Sequence, residues 1–163
     1  MTHNNIVSKD ALVGIWKVVE LKSIDKEQKI SYPYGQNPVG YIIFTQEGYM
    51  SASLMMSNRL NLGLSVEELM GMAYGGAKPK LITNLFKYIK AVVRYLQAGS
   101  KFTSQFSKYE IKDNKVILHV EVSIVPDLIG KETERTFEFS EDLLVLEASS
   151  GENIISSTWQ RVS

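Results

Sequence analysis

Several residue types are scarce in this chain of 163 residues, and each scarcity excludes a class of site. There is no cysteine, which excludes disulfides, thiolate metal sites and cysteine nucleophiles. Of the two histidines only His119 lies outside the first ten residues, so no metal site is expected. No uncharged apolar run approaches the ~20 residues of a membrane span, and the N-terminus lacks the pattern of a signal peptide. We therefore expect a cytoplasmic, single-domain protein that uses no metal and no cofactor.

Acidic residues are also missing from one long region. Between Leu69 and Tyr109 there are seven bases and no acid, although the net charge of the whole chain is zero. Such a region can pack near acidic strands of its own domain, attract an anionic ligand, or bind a membrane surface. We expect the first, with a membrane surface as an alternative partner. No nucleic-acid-binding motif accompanies the bases, so nucleic acid is not an expected partner.

Alternation of apolar and polar residues predicts strands on both sides of a helical segment. The predicted strands are residues 12–24, 40–45, 49–56, 103–111, 116–125, 132–140, 143–149 and 154–162. After the third of these, Ser65 and Glu68 have the spacing of a capping box that begins a short helix, and an amphipathic basic helix is predicted over about 79–98.

This order of elements predicts a mainly β protein. After a tail of residues 1–10, eight strands with short turns indicate an up-and-down antiparallel barrel. A helical insertion at about 65–98 is expected between the third and fourth strands. The interior of an eight-stranded barrel is filled by side chains or holds one small ligand.

One predicted strand carries a stripe of polar side chains. His119, Glu121 and Ser123 alternate with valines within residues 116–125, so the three share one face. Neighbours on that face stand ~7 Å apart, whereas a nucleophile and its base must approach to ~3 Å. The spacing therefore excludes a catalytic triad, and the stripe is either one wall of a cavity or a solvated face.

Arg135 lies on a strand whose two faces differ in character. One face of residues 132–140 carries three glutamates, and the other carries Arg135 with two phenylalanines. Since the acidic face should be outside, Arg135 is predicted to point inward, where a guanidinium needs an anion. Glu121 or Glu20 could supply that anion; so could a ligand carboxylate, enolate or phenolate.

Several motifs resemble known families. Gly14-Ile-Trp16 and Trp159-Gln-Arg161 resemble the calycin and lipocalin signature, in which an arginine from the last strand covers a tryptophan of the first. The run Tyr32-Pro-Tyr-Gly-x-x-Pro-x-Gly-Tyr41 and the motif His119-Val-Glu121-x-Ser123 are similar to the bacterial and fungal lipocalin-like domain family. The resemblance covers nearly the whole chain. It implies an intracellular single-domain barrel, and some relatives and structural analogues in natural-product pathways are cyclases or pericyclases.

Two functions are consistent with these features. The first is binding of a small lipophilic or aromatic molecule in the barrel cavity, within natural-product metabolism. The alternative is a cofactor-free cyclase, pericyclase or isomerase that folds a polyketide- or terpenoid-like substrate into a reactive shape; a hydrolase is not expected. The candidate catalytic residues are Arg135, His119, Glu121 and Glu20. The candidate ligand-binding residues are Tyr34, Tyr41, Met50, Ser123, Phe137 and Trp16.

Overall fold

The computed structural model describes residues 9–75, 85–140 and 142–162, which divide into two compact units. The first unit lies within residues 1–57 and 102–163, and the second within residues 58–101. The first contains α1 (Lys9–Leu12), β1 (Gly14–Ile24), β2 (Ile30–Ser31), β3 (Pro38–Phe44), β4 (Tyr49–Met56), β5 (Phe102–Lys112), β6 (Lys115–Ser123), a 3-10 turn (Pro126–Leu128), β7 (Glu132–Ser140), β8 (Leu143–Ser150) and β9 (Asn153–Arg161). The second contains α2 (Val66–Tyr74) and α3 (Leu85–Gly99).

The strands of the first unit form a closed antiparallel barrel. Strands β3 to β9 each pair with the next along the chain, and β1 pairs with both β3 and β9, which closes the ring. The predicted eight-stranded barrel is therefore confirmed. The two-residue strand β2, which pairs with the end of β1, was not predicted because it is too short to show alternation. It shifts the strand count, so the helical segment lies between β4 and β5 rather than between the third and fourth strands.

Strand alternation decides which residues face the barrel interior. In β3, positions 38, 40, 42 and 44 are buried and the positions between them are exposed. The predicted bounds 49–56 and 132–140 are those of β4 and β7. Strand β6 ends at Ser123, earlier than predicted, and Val122 is 61% exposed. The pairing of β6 with β5 shifts by one residue after Val120, so the apolar residues beyond Val120 do not contribute to the core.

The start of β1 and the end of β9 are held together by Arg161. Its guanidinium lies 4.0 Å from the centre of the Trp16 ring and donates hydrogen bonds to the carbonyls of Ala11 and Val13. The Trp16 Nε1 donates to the Leu12 carbonyl at 2.9 Å. Leu12 ends the helical turn of residues 9–12, so the strand begins at Gly14 and not at Leu12 as predicted. The tryptophan–arginine contact implied by the calycin resemblance is confirmed.

The second unit contains the predicted capping box. The Glu68 backbone N–H donates to the Ser65 side chain, and the Ser65 N–H donates to the Glu68 carboxylate. Lys87 in α3 pairs with Glu68 at 2.6 Å, and Arg94 donates to the Asn61 carbonyl at 2.9 Å. These contacts connect α2, α3 and the segment before α2 within the unit.

The apolar stripe of α3 is exposed. The predicted helix began at about residue 79, and residues 76–84 lie outside the described part of the chain. The stripe is formed by Leu85, Phe86, Ile89, Val92, Val93 and Leu96, each about half exposed or more. We expected this helix to pack on its own domain, but the described residues of its unit leave the stripe uncovered. Within the described ranges no helix is long and apolar enough to cross a membrane.

Candidate ligand-binding cavity

The barrel unit contains a cavity of about 520 Å³ with mostly apolar walls. Side chains from strands all around the ring line it. Its apolar lining includes Ile42, Phe44, Met50, Leu54, Leu118 and Trp159. The polar side chains in the lining include Tyr34, Thr103, Gln105, Thr133, Arg135 and Ser157.

The cavity exists because small residues stand among large ones on the inward face. In β4 the inward positions are Met50, Ala52 and Leu54, and Ser53 between them is exposed. Ala52 pairs with Ile42 on β3 and with Gln105 on β5. An alanine at the centre of three neighbouring strands leaves space that a leucine or phenylalanine there would fill.

Arg135 points inward, and its strand register explains why. Thr133 and Arg135 of β7 stand opposite the buried Leu118 and Val116 of β6, and both line the cavity. Burial lowers the pKa of the Arg135 guanidinium, because desolvation disfavours its charged form. Its Nη1 donates to the backbone carbonyl of Glu134 at 2.8 Å. Over the described ranges no carboxylate lies within 4.0 Å of this guanidinium.

The two glutamates considered as partners of Arg135 are engaged elsewhere. Glu121 pairs with Lys108 at 3.3 Å, with its side chain 42% exposed. Glu20 pairs with Lys22 at 3.1 Å and is similarly exposed. Neither belongs to the cavity lining. The interpretation of an internal arginine–glutamate pair is therefore wrong, and the physical reason is that both acids lie on outward faces of their strands.

The predicted His119-Glu121-Ser123 stripe is not one face of β6. His119 and Glu121 point outward, but the pairing with β5 shifts by one residue after Val120, so Ser123 stands opposite Gln105 of the cavity lining and is not itself a lining residue. The His119 side chain is 42% exposed and lies 3.1 Å from Glu132 and 3.6 Å from Glu110. The Ser123 hydroxyl accepts a hydrogen bond from the backbone N–H of Val125. Val116, Leu118 and Val120 of β6 are buried, so the barrel interior takes these apolar residues, and His119 and Glu121 face outward. The candidate catalytic residues are thus not brought together, and only Arg135 lines the cavity.

The candidate ligand-binding residues also separate. Tyr34 and Met50 line the cavity. Tyr41 is 47% exposed on an outward position of β3. Trp16 and Phe137 are buried in the core outside the lining, since Trp16 packs beneath Arg161 and Phe137 packs edge-on against Phe139.

Several polar residues of the cavity lining were not expected from the sequence. Thr103 and Gln105 on β5 and Ser157 on β9 were not proposed, although each lies on the inward face of a predicted strand. Period-two alternation with Trp159 could have placed Ser157 inside. In β5 the exposed Lys108 and Glu110 indicate that odd-numbered positions face inward, but the apolar Phe106 on the same exposed face obscures that alternation near Gln105.

Two further polar groups define the chemistry of the cavity. Burial raises the pKa of the Tyr34 phenol, and a hydrogen bond with Thr103 opposes that shift, so Tyr34 stays neutral at physiological pH. The Thr133 Oγ1 is buried and has no hydrogen-bond partner among the residues that the structure describes. Among the described residues, the cavity lining therefore includes a neutral phenol, a cationic side chain and, buried in the wall, an unsatisfied hydroxyl.

The chain is similar to one protein family and to several solved structures. A family model described as a lipocalin-like domain matches residues 13–162. No curated protein matches the chain. Among solved structures, a lipocalin-like protein from Bacteroides uniformis is 11% identical, with 92% of this chain and 97% of that chain covered and a TM-score of 0.41. A de novo designed fluorescence-activating β-barrel is 10% identical, with 94% of this chain and 95% of that chain covered and a TM-score of 0.39. A mutant of the fluorescent protein UnaG is 13% identical, with 95% of this chain and 99% of that chain covered and a TM-score of 0.39.

Proposed function

The chain belongs to the family of lipocalin-like domains, and we propose that its barrel cavity binds a small lipophilic or aromatic molecule. The observation that carries the proposal is the cavity of about 520 Å³ with mostly apolar walls. Small-molecule pockets commonly measure roughly 300–1,000 Å³ and combine apolar walls with a few polar groups. A ligand would gain free energy chiefly by moving apolar surface out of water.

Placement of the acidic and basic residues favours binding over proton-transfer catalysis. A general acid or base must reach within hydrogen-bond distance of the substrate atom it serves. His119, Glu121 and Glu20 do not line the cavity, and no aspartate or glutamate is found among its lining residues in the described ranges. An isomerase that shuttles protons through those residues therefore has no support in the geometry.

A fluorescence titration with phenylnaphthylamine tests the proposal. This neutral probe fluoresces more strongly in apolar surroundings, so its fluorescence reports binding in the cavity. We expect saturable binding to the protein. Ala52→Phe should weaken that binding at least about tenfold, since the new ring would occupy the centre of the cavity. The matched control is Ser53→Phe, which adds a ring on the exposed side of the same strand and should leave the affinity unchanged.

Two results would contradict the proposal. One is the absence of saturable probe binding to the unmodified protein. The other is equal binding by the Ala52→Phe variant and the unmodified protein, which would locate the probe outside the barrel. Thermal unfolding of both phenylalanine variants, followed by circular dichroism, shows whether each barrel is folded during the titration.

A further inference from the structure

An unpaired cationic side chain stands in the mostly apolar wall of the cavity. Desolvating a guanidinium costs free energy that is normally offset by an anion or by several acceptors. Arg135 has one side-chain hydrogen bond, to the carbonyl of Glu134, and has no carboxylate partner over the described part of the chain. Most of its donor capacity, which comprises five N–H groups in arginine generally, is therefore unused by the protein.

A second group without a partner, the Thr133 hydroxyl, lies two residues before Arg135 on β7. Thr133 also lines the cavity, and its Oγ1 is buried without a partner in the described residues. Buried hydroxyls in folded proteins nearly always have a hydrogen-bond partner, so an exception calls for an explanation. Residues 133 and 135 are i and i+2 on one face of a strand, which places their Cα atoms ~7 Å apart. An unsatisfied hydroxyl and an unpaired guanidinium thus belong to two neighbouring residues of the cavity wall.

We infer that the ligand of this cavity is a lipophilic anion whose charged oxygens bind Arg135 and Thr133. This inference rests on the proposed function and adds the chemical class of the ligand. A carboxylate, enolate, phenolate or sulfonate oxygen accepts N–H groups from the guanidinium, and charge-assisted hydrogen bonds of this kind are the stronger ones. The Thr133 hydroxyl donates to the same group, and the apolar remainder contacts Ile42, Leu118 and Trp159.

The charge distribution of the lining also selects against cations. Within the described ranges the lining contains Arg135 and no aspartate or glutamate. A bound cation would meet a like charge without a compensating acid, and such arrangements discriminate strongly between partners. A neutral lipophile would fill the apolar part of the cavity but would leave the guanidinium unpaired.

The experiment compares two probes that share one ring system. Anilinonaphthalenesulfonate carries a sulfonate, and phenylnaphthylamine is its uncharged counterpart. We expect the sulfonate probe to bind the unmodified protein at least as tightly as the neutral probe. Arg135→Met should weaken binding of the sulfonate probe roughly tenfold to a hundredfold, the effect expected for losing a charged hydrogen bond. Binding of the neutral probe should change by less than about threefold on the same scale.

Two control variants locate the effect. Lys17→Met removes one positive charge from an exposed position on the outer wall of β1, and it should leave the affinity for both probes unchanged. Ala52→Phe should weaken both probes, which separates binding in the cavity from adsorption on the exposed stripe of α3. Thr133→Val keeps the side-chain shape and should weaken only the sulfonate probe, by several-fold at most.

The results for the two probes distinguish the inference about an anionic ligand from the proposed binding function. Equal affinity of the Arg135→Met variant and the unmodified protein for the sulfonate probe would overturn the inference and leave the proposed function standing. Failure of both probes to bind the unmodified protein would instead remove the proposed function. If Arg135→Met is unfolded by circular dichroism, Arg135→Gln takes its place. If neither variant folds, weaker binding of the sulfonate probe than of the neutral probe to the unmodified protein overturns the inference, and the reverse order together with a loss in Thr133→Val supports it.

Discussion

At Gly40 the barrel wall has no room for a side chain. A Cβ at this position of β3 would lie 2.4 Å from the Ser53 carbonyl oxygen and 2.7 Å from the Leu54 Cα. Both are backbone atoms of the neighbouring strand, so they cannot move without disturbing the β3–β4 pairing. We expect Gly40→Ala to lower the free energy of unfolding by roughly 1–3 kcal/mol, the usual cost of overpacking. Urea unfolding followed by tryptophan fluorescence measures it, since Trp16 and Trp159 both lie in the barrel unit.

A second glycine provides the control for that substitution. A Cβ on Gly99, the last residue of α3, would meet nothing within 4 Å. Gly99→Ala should leave the barrel transition unchanged, and within the helix it should be neutral or stabilise by up to about 1 kcal/mol. If Gly40→Ala were as harmless as Gly99→Ala, the close approach of β3 and β4 would be disproved.

At the level of the element, Glu68 connects the start of α2 to α3. The hydrogen bond from Lys87, followed by that from the Ser65 backbone, holds the pKa of Glu68 below its ordinary value. Because this pKa is lower in the folded helix than in the unfolded chain, the resulting stabilisation is fully present above the ordinary glutamate pKa. It is lost as the pH falls through the lower, folded value.

Amide hydrogen exchange tests this pH dependence. After correction for intrinsic exchange rates, protection at the N-terminal end of α2 should decrease between about pH 6 and pH 3. Glu68→Gln should reduce protection at the higher pH and remove most of its pH dependence. Glu67→Gln, which removes the neighbouring carboxylate but keeps the capping box, is the matched control. An unchanged pH profile in Glu68→Gln would show that this carboxylate does not stabilise the helix end.

Strands β6 and β7 show how far a sequence can define a site. In β7 one face carries glutamates, so charge alone decides which side meets water, and the inward direction of Arg135 follows. In β6 one face is apolar and the other carries His119 and Glu121. The apolar face could point into a packed core, or the polar face could point into a polar cavity, so the pattern alone does not decide which one is inside. Which face of β6 is inside depends on the register of its pairing with β5 and on the direction in which Glu121 points. Glu121 meets Lys108 of β5 on the outside, a pairing that only the tertiary register reveals.

At the level of the whole molecule, stability depends on the ring being closed. Thr158 of β9 pairs with Glu20 of β1 on one side and with Val145 of β8 on the other. Proline lacks a backbone N–H and is not accommodated within a central strand. We expect Thr158→Pro to lower the free energy of unfolding by more than about 3 kcal/mol.

The short strand β2 offers a control with the same chemistry. Ile30 of β2 pairs only with Ile24, and both residues of β2 are exposed. Ile30→Pro should therefore cost about 1 kcal/mol or less, the value of a single exposed hydrogen bond. Urea unfolding of the two proline variants compares them directly. Equal losses would mean that the β1–β9 seam is no more important than the short strand beside it.

The β1–β9 seam also determines when the barrel can form during synthesis. The hydrogen bond from Arg161 to the Ala11 carbonyl spans 150 positions of the chain. At about 5–20 residues per second, a ribosome makes β9 on the order of ten seconds after β1. Through that interval β1 has an unpaired edge, which is a template for pairing with another nascent chain. Crowding of translating ribosomes should therefore reduce the yield of folded protein more than the stability of the finished barrel would suggest.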